Sequence, residues 1–225
     1  MMHYMVKRAS GAAGLHDGWD AGQWGNVDAL ELKYHMGEKP GHFPETQAKL
    51  LYDAENLYVL FRVEDQYVRC VASKTQGNVC RDSCVEFFFA PEDTTTSESN
   101  YFNLEVNCGG TILFHYGEPI NSSGCNRGHI EPSDCEQVEV QSSLPRIIDP
   151  EITTPVSWIL GYKLPFNVIK KYSGAQRPGS GTKWRANFYK CADETSHPHW
   201  LTWAPVDNPA PKFHLPQFFG GLEFE

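Results

Sequence analysis

Short runs of alternating apolar and polar residues, separated by turn-forming clusters, predict strands along almost the whole chain. The run 57–64, LYVLFRVE, follows the turn-like Asp53-Ala54-Glu55-Asn56, and 48–52 before that turn supplies the other arm of a hairpin. Residues 84–89 form the next strand, followed by a loop rich in Thr, Ser and Glu at 92–100. The strand 101–107 then turns at Gly109-Gly110 into 111–116. Further strands are expected at 138–142, 158–164, 184–190 and 221–224. One short helix is expected at 167–172, after Pro165, and 117–157 reads as loop with a single strand. No internal repeat or composition shift divides the chain. The expectation is one all-β domain over 1–225, an antiparallel two-sheet β-sandwich with at most one or two short helices.

Alternation also sorts each strand into two faces. Leu57, Val59, Phe61 and Val63 share one face of the first strand, with Tyr58, Leu60, Arg62 and Glu64 on the other. Val85, Phe87 and Phe89 lie opposite Cys84, Glu86 and Phe88. Phe102, Leu104 and Val106 lie opposite Asn103, Glu105 and Asn107, and Trp184, Ala186 and Phe188 opposite Arg185, Asn187 and Tyr189. Each strand therefore has an apolar face for the core and a reverse face carrying chemistry. If the strands share a sheet, Arg62, Glu86, Glu105, Asn187 and Tyr189 make one polar field. That field is either a ligand site or an Arg62–carboxylate network tiling an exposed sheet.

Composition narrows the function classes. The formal net charge of −9, with Lys and Arg scattered, argues against a nucleic-acid partner, which needs clustered cations. No segment approaches the roughly 20 apolar residues of a membrane span. The N-terminal MMHYMVKRASGAAG lacks the apolar stretch of a signal peptide. As written the chain reads as cytoplasmic, or as secreted or periplasmic if a leader has been removed. Its 7 cysteines contain no CxxC pair, so free thiols are the expectation and a zinc site is not.

Six segments resemble family 9 carbohydrate-binding modules, in particular compact family 9-like bacterial relatives. They are LYDAENLYVLFRVED (51–65), RDSCVEFFFAP (81–91), YFNLEVNCGGT (101–111), KLPF (163–166), WRANFYKC (184–191) and WLTWAPVDNPAPKFHLPQFFGGLEF (200–224). They occur in the family's order and extend the resemblance over roughly 17–225. The resemblance implies a β-sandwich, also akin to DOMON-like sandwiches, that binds a terminal sugar unit without catalysis. In characterised members two tryptophans hold the sugar and charged and amide side chains hydrogen-bond it. The acidic motif places its glutamate at Glu86, and the polar contact of the following strand falls on Glu105, where sugar-binding members can carry arginine. One clamp tryptophan falls near Phe213 and the other at Cys80 or Val79, so neither tryptophan is present. The resemblance also sets Trp203, Phe213 and His214 in loops at one end of the sandwich. Some members hold structural calcium, but Asp53-Ala54-Glu55-Asn56 reads as a turn and no other calcium loop stands out.

The expected ligand-binding residues are thus Arg62, Glu86, Glu105, Asn107, Asn187, Tyr189, Phe213 and His214, with Phe88 as a further stacking surface. The expected partner is the end of an oligosaccharide or glycan; no cofactor is assigned, and structural calcium stays open. Two alternatives stay open: a glycoside-processing enzyme using Glu86 and Glu105, and a haem- or metal-binding sandwich. For the latter, His197, His199 and His214 are candidate ligands, although His197-Pro198-His199 reads as a surface loop, and Met1, Met2, Met5 and Met36 lie off the central strands. Trp200 and Trp203 read as packing residues.

Overall fold

The computed structural model describes residues 2–119 and 127–225, leaving Met1 and Cys125 outside the described residues. In chain order the first strands are β1 (His3–Arg8), β2 (Leu30–Glu31), β3 (Tyr34–His35), β4 (Glu45–Tyr52) and β5 (Asn56–Asp65). They continue as β6 (Val68–Cys70), β7 (Cys84–Ala90), β8 (Tyr101–Asn107), β9 (Ile112–Gly117) and β10 (Arg127–His129). A short helix α1 (Pro132–Cys135) precedes β11 (Glu139–Ser142), β12 (Ile148–Ile152) and β13 (Val156–Pro165). The helix α2 (Phe166–Ser173) leads to β14 (Lys183–Cys191), β15 (Trp200–Thr202) and β16 (Gly220–Phe224).

Two curled sheets make the sandwich. One runs β10-β9-β8-β7-β14-β16 and the other β4-β5-β13-β11, with β1 joining them. β1 pairs in parallel with β16 through His3 to Val6, then with β4 through Lys7 and Arg8. These are the parallel pairings of an otherwise antiparallel fold. The expected hairpin at 48–64 is the β4–β5 pair, in which Leu50 faces Val59. Its turn is closed by Asp53, whose Oδ1 accepts from the Glu55 and Asn56 amides at 2.7 Å each, while Oδ2 accepts from the Tyr58 hydroxyl at 2.6 Å. Both carboxylate oxygens are engaged within the turn, which leaves no calcium loop there. Among the described residues no helix is long and apolar enough to cross a membrane.

The facial sorting locates the main core. Val85, Phe87 and Phe89 of β7 join Phe61 of β5, Phe102 of β8, and Trp184 and Phe188 of β14 between the sheets. The Phe87 and Phe188 rings stack at 4.7 Å between centroids, and Phe61 reaches Phe188 across the sandwich at 6.1 Å. The reverse face of β7 is not solvated. Cys84, Phe88 and Ala90 join a second cluster with Tyr101, Tyr189, Phe213 and Phe219, so both faces of β7 and β8 are buried. The segment 203–219 covers this face and creates the enclosure in which the candidate site lies.

The 117–157 region holds more structure than the single strand expected. Besides β11 it contains β10, α1 and β12 among the described residues. β10 reads RGH and β12 reads IDPEI, neither with strand propensity of its own; β10 is held by the edge of β9 and β12 by β6. Gly220, opening β16, packs where a Cβ would sit 2.6 Å from the Trp203 ring and 3.0 Å from the Met2 carbonyl oxygen. Gly220→Ala is therefore expected to destabilise the protein by about 1–3 kcal/mol in urea denaturation, through overpacking rather than strain in φ.

Candidate functional site

Three neighbouring strands build the base of the site. β8, β7 and β14 lie side by side, with Glu86 directly opposite Glu105 on one side and Tyr189 on the other. The period of two then places Cys84, Glu86 and Phe88 on one face together with Cys191 of β14. Loops raise the walls of a cavity of about 310 Å³ over this face. The sheet contributes Glu86, Phe88, Glu105 and Cys191; the loops contribute Cys80, Asp193, Pro211, Lys212, Phe213 and His214, with Trp200 at the start of β15.

Of the expected residues, the structure brings Glu86, Glu105, Phe88, Phe213 and His214 into this one cavity. Tyr189 lies behind it: its ring stacks on Phe213 at 4.1 Å and its hydroxyl donates to the Phe213 carbonyl at 3.1 Å. Asn187 is fully buried, its amide bracing the chain at Ala204 and its Oδ1 accepting from the Ala204 amide at 2.8 Å. Asn107 is likewise enclosed, donating to the Ala72 carbonyl and Asp82 while its Oδ1 accepts from the Thr111 amide. Arg62 is on the other sheet. It donates to Gln47 Oε1 at 2.9 Å and lies over the Trp19 ring at 5.2 Å, so it makes no network with Glu86 or Glu105. Facial alternation grouped Glu86 with Glu105 on one face of a sheet, but it cannot say which strands share that sheet.

Cavity-lining residues that the sequence reading passed over are Cys191, Asp193, Pro211 and Lys212, and Trp200, read there as a packing residue, lines the cavity as well. The half-buried Trp200 donates its indole N–H to Asp193 Oδ1 at 2.8 Å, whereas Trp203 is buried against Phe188 as a packing residue. Trp200 is found through its register with Cys191, since residues opposed in neighbouring strands share a face. The His197–His199 segment is not simply a surface loop. His197 stacks on Tyr67 at 3.6 Å, and His199 is fully buried, with Nε2 2.8 Å from Lys190 Nζ.

The two glutamates are held differently. Glu86 is 2% exposed, and its Oε1 accepts from the Cys191 thiol at 3.0 Å. Glu105 Oε1 accepts from the Asn103 amide at 2.9 Å, and Asn103 Oδ1 in turn accepts from Arg127 Nε at 3.0 Å. Burial, then the neighbouring Glu105 charge, raises the Glu86 carboxyl well above its usual range. Burial also raises Glu105, to about 7, despite the opposing effects of Asn103 and Arg127. A protonated carboxyl both donates and accepts, as a sugar hydroxyl does. His214 is kept neutral: burial, then Arg127, lowers it to about 3, and its Nδ1 lies 2.7 Å from the Tyr101 hydroxyl.

Carboxyls whose folded pKa is raised stabilise the fold below their unfolded value and lose that contribution as pH rises through the folded one. Thermal stability should therefore fall between pH 4.5 and about 7, the window of Glu105. The expected loss is roughly 3–10 °C in Tm by differential scanning calorimetry. A Glu86→Gln/Glu105→Gln double variant should flatten the curve across that window; an unchanged slope would contradict the assignment.

The match to known proteins follows this geometry. The family model described as carbohydrate-binding family 9 matches residues 23–224. A putative carbohydrate-binding protein from Bacteroides uniformis ATCC 8492 is 28% identical, with 99% of each chain covered and a TM-score of 0.83. A family 9 module from Caldicellulosiruptor kristjanssonii, solved with glucose, has a TM-score of 0.64 at 14% identity, covering 100% of this chain and 96% of that one. The same source's module solved with cellotriose gives 0.65 at 14% identity, covering 100% and 94%. At that identity the last two show the sandwich fold. No curated protein matches the chain.

Proposed function

The chain belongs to carbohydrate-binding family 9, and from that membership we propose that it is a non-catalytic module whose cavity receives the terminal mono- or disaccharide unit of a glycan. The observation that carries the reading is the meeting, in one cavity, of paired carboxyls at the base and aromatic rings at the wall. Glu86 and Glu105 supply directional hydrogen bonds to ring hydroxyls. Phe213, backed by Tyr189, and Trp200 supply apolar surface for the C–H faces of a pyranose. The volume, about 310 Å³, sits at the small end of ligand pockets and suits one or two sugar units rather than a polymer segment. The bound sugars of the Caldicellulosiruptor kristjanssonii module make glucose and cello-oligosaccharides the first ligands to try.

Isothermal titration calorimetry against glucose, cellobiose and a panel of other mono- and disaccharides tests this. Phe213→Ala is expected to weaken the best ligand several-fold in Kd through lost apolar contact with the sugar C–H face. Absence of binding across the panel would remove the reading.

Hydrolysis is the second reading, favoured by one observation: Glu86 and Glu105 are cross-strand partners with both carboxyls raised by burial. Turnover of chromogenic glycosides that is lost in Glu86→Gln would establish it in place of binding alone.

A further inference from the structure

Beneath the sugar cavity, β7 and β14 oppose Cys84 with Cys191, and Glu86 lies one pleat along the same face. The two Sγ atoms and a carboxylate oxygen all lie within 4.8 Å of one another. Cys191 Sγ sits 3.0 Å from Glu86 Oε1, and Cys84 Sγ lies 3.7 Å from the Val85 carbonyl with the Cys191 thiol as its neighbour. All three side chains stand on central strands, Cys84 and Cys191 at 0% exposure and Glu86 at 2%, so their positions are fixed by the sheet.

We propose that Cys84, Glu86 and Cys191 form a binding site for a thiophilic divalent cation of the zinc class, with its fourth position turned toward the cavity. The size fits. Zinc–sulfur bonds of about 2.3 Å and zinc–oxygen bonds of about 2.0–2.2 Å in a tetrahedron separate the donors by roughly 3.5–3.8 Å, within the spread observed here. The donor set selects the metal. Calcium and magnesium take oxygen ligands, whereas two thiols with one carboxylate match zinc and its borderline neighbours. The opening fits too, because Cys191 and Glu86 line the cavity and Cys84 lies behind them. Three protein ligands with one open position leave room for water or a ligand hydroxyl. The site goes beyond the sugar-binding reading and fills without any sugar.

Binding has a proton cost that gives it a signature. Burial, moderated by the neighbouring Cys191 thiol, pushes the Cys84 thiol up to about 12, and burial raises Cys191 well above its usual range. Each thiol that ligates the cation must release its proton to solvent, so affinity rises with pH.

Cobalt(II) titration of the full chain tests the site, after phosphine reduction, chelation of bound metal and removal of both reagents, with no sugar present. One cobalt per chain is expected, with near-ultraviolet thiolate-to-cobalt charge transfer and the intense visible bands of tetrahedral cobalt, all displaced by one equivalent of zinc. Cys191→Ser and Cys84→Ser should lose the charge-transfer band, and Cys135→Ser, a buried thiol bonded elsewhere at Gln76, should keep it. Circular dichroism checks each fold. Should a serine variant misfold, Glu86→Gln keeps both thiols and is expected to weaken cobalt binding and alter the visible bands. No charge-transfer band in the parent protein, or a band untouched in both serine variants, overturns the proposal. Because the titration contains no sugar, either outcome is independent of the calorimetric screen.

Discussion

Lys190→Met is expected to destabilise the protein by about 3–5 kcal/mol, the usual cost of removing one partner from a buried ion pair. Lys190 follows Trp184, Ala186 and Phe188 on the core face of β14, and Asp65 follows Leu57, Val59, Phe61 and Val63 on the core face of β5. The two side chains meet between the sheets with no exposure, Nζ 3.6 Å from Asp65 Oδ2. Lys190 Nζ also donates to the Cys191 carbonyl at 3.0 Å and to His199 Nε2 at 2.8 Å. Asp65 Oδ1 accepts from His42 at 2.7 Å.

Burial alone would raise Asp65, but the Lys190 charge and the His42 hydrogen bond outweigh it and hold the carboxyl well below the usual range. His199 is lowered to about 3 by burial and then by Lys190, so a neutral imidazole accepts a hydrogen bond from the ammonium group. Methionine fills the space of the lysine stem but leaves a buried carboxylate whose main counter-charge has gone. Asp65 contributes stability above its unfolded pKa, lost as pH falls below about 4, so the variant's deficit should shrink in acid. Urea denaturation at pH 7 and pH 3.5 reads both effects. A loss below about 1 kcal/mol at pH 7 would mean the pair is not what fixes this end of the sandwich.

Glu86→Ala should produce the opposite combination, weakened binding with little or no lost stability. Its carboxyl sits in an enclosure that raises its pKa, with a thiol as its hydrogen-bonding partner, a poor arrangement for the fold and a useful one for a ligand. A hydrogen bond to a neutral carboxyl contributes about 0.5–1.5 kcal/mol, so sugar affinity should fall roughly two- to ten-fold. Because the side chain lines a cavity, truncation opens no closed void in the core. Denaturation and calorimetry on one preparation separate the outcomes. A large stability loss with unchanged sugar affinity would make Glu86 a structural residue.

Much of this was legible in the sequence because strands with one apolar face announce themselves. The ranges 57–64, 84–89 and 101–107 fall within β5, β7 and β8, and facial alternation placed Glu86 and Glu105 together away from the core. Three things were not legible, each for a physical reason. Arg62 was grouped with the glutamates because alternation is local, whereas sheet membership is decided by long-range pairing. Of the two readings left open for the polar face, the exposed sheet does not hold, because the segment 203–219, with little periodicity of its own, covers it. The Cys84–Cys191 pair is separated by more than a hundred residues, so no spacing motif could reveal it; only the β7–β14 register does. The same rule of two places Lys190 and Asp65 in the core, against the expectation that charges face outward, and such exceptions are where a fold needs explaining.

The most direct test of the central claim is a crystal structure of the protein with the tightest-binding sugar from the calorimetric panel. The account expects the terminal unit in the cavity, with ring hydroxyls within hydrogen-bond distance of Glu86 and Glu105 and a C–H face against Phe213 or Trp200. A sugar bound elsewhere, with the cavity holding only water, would contradict it.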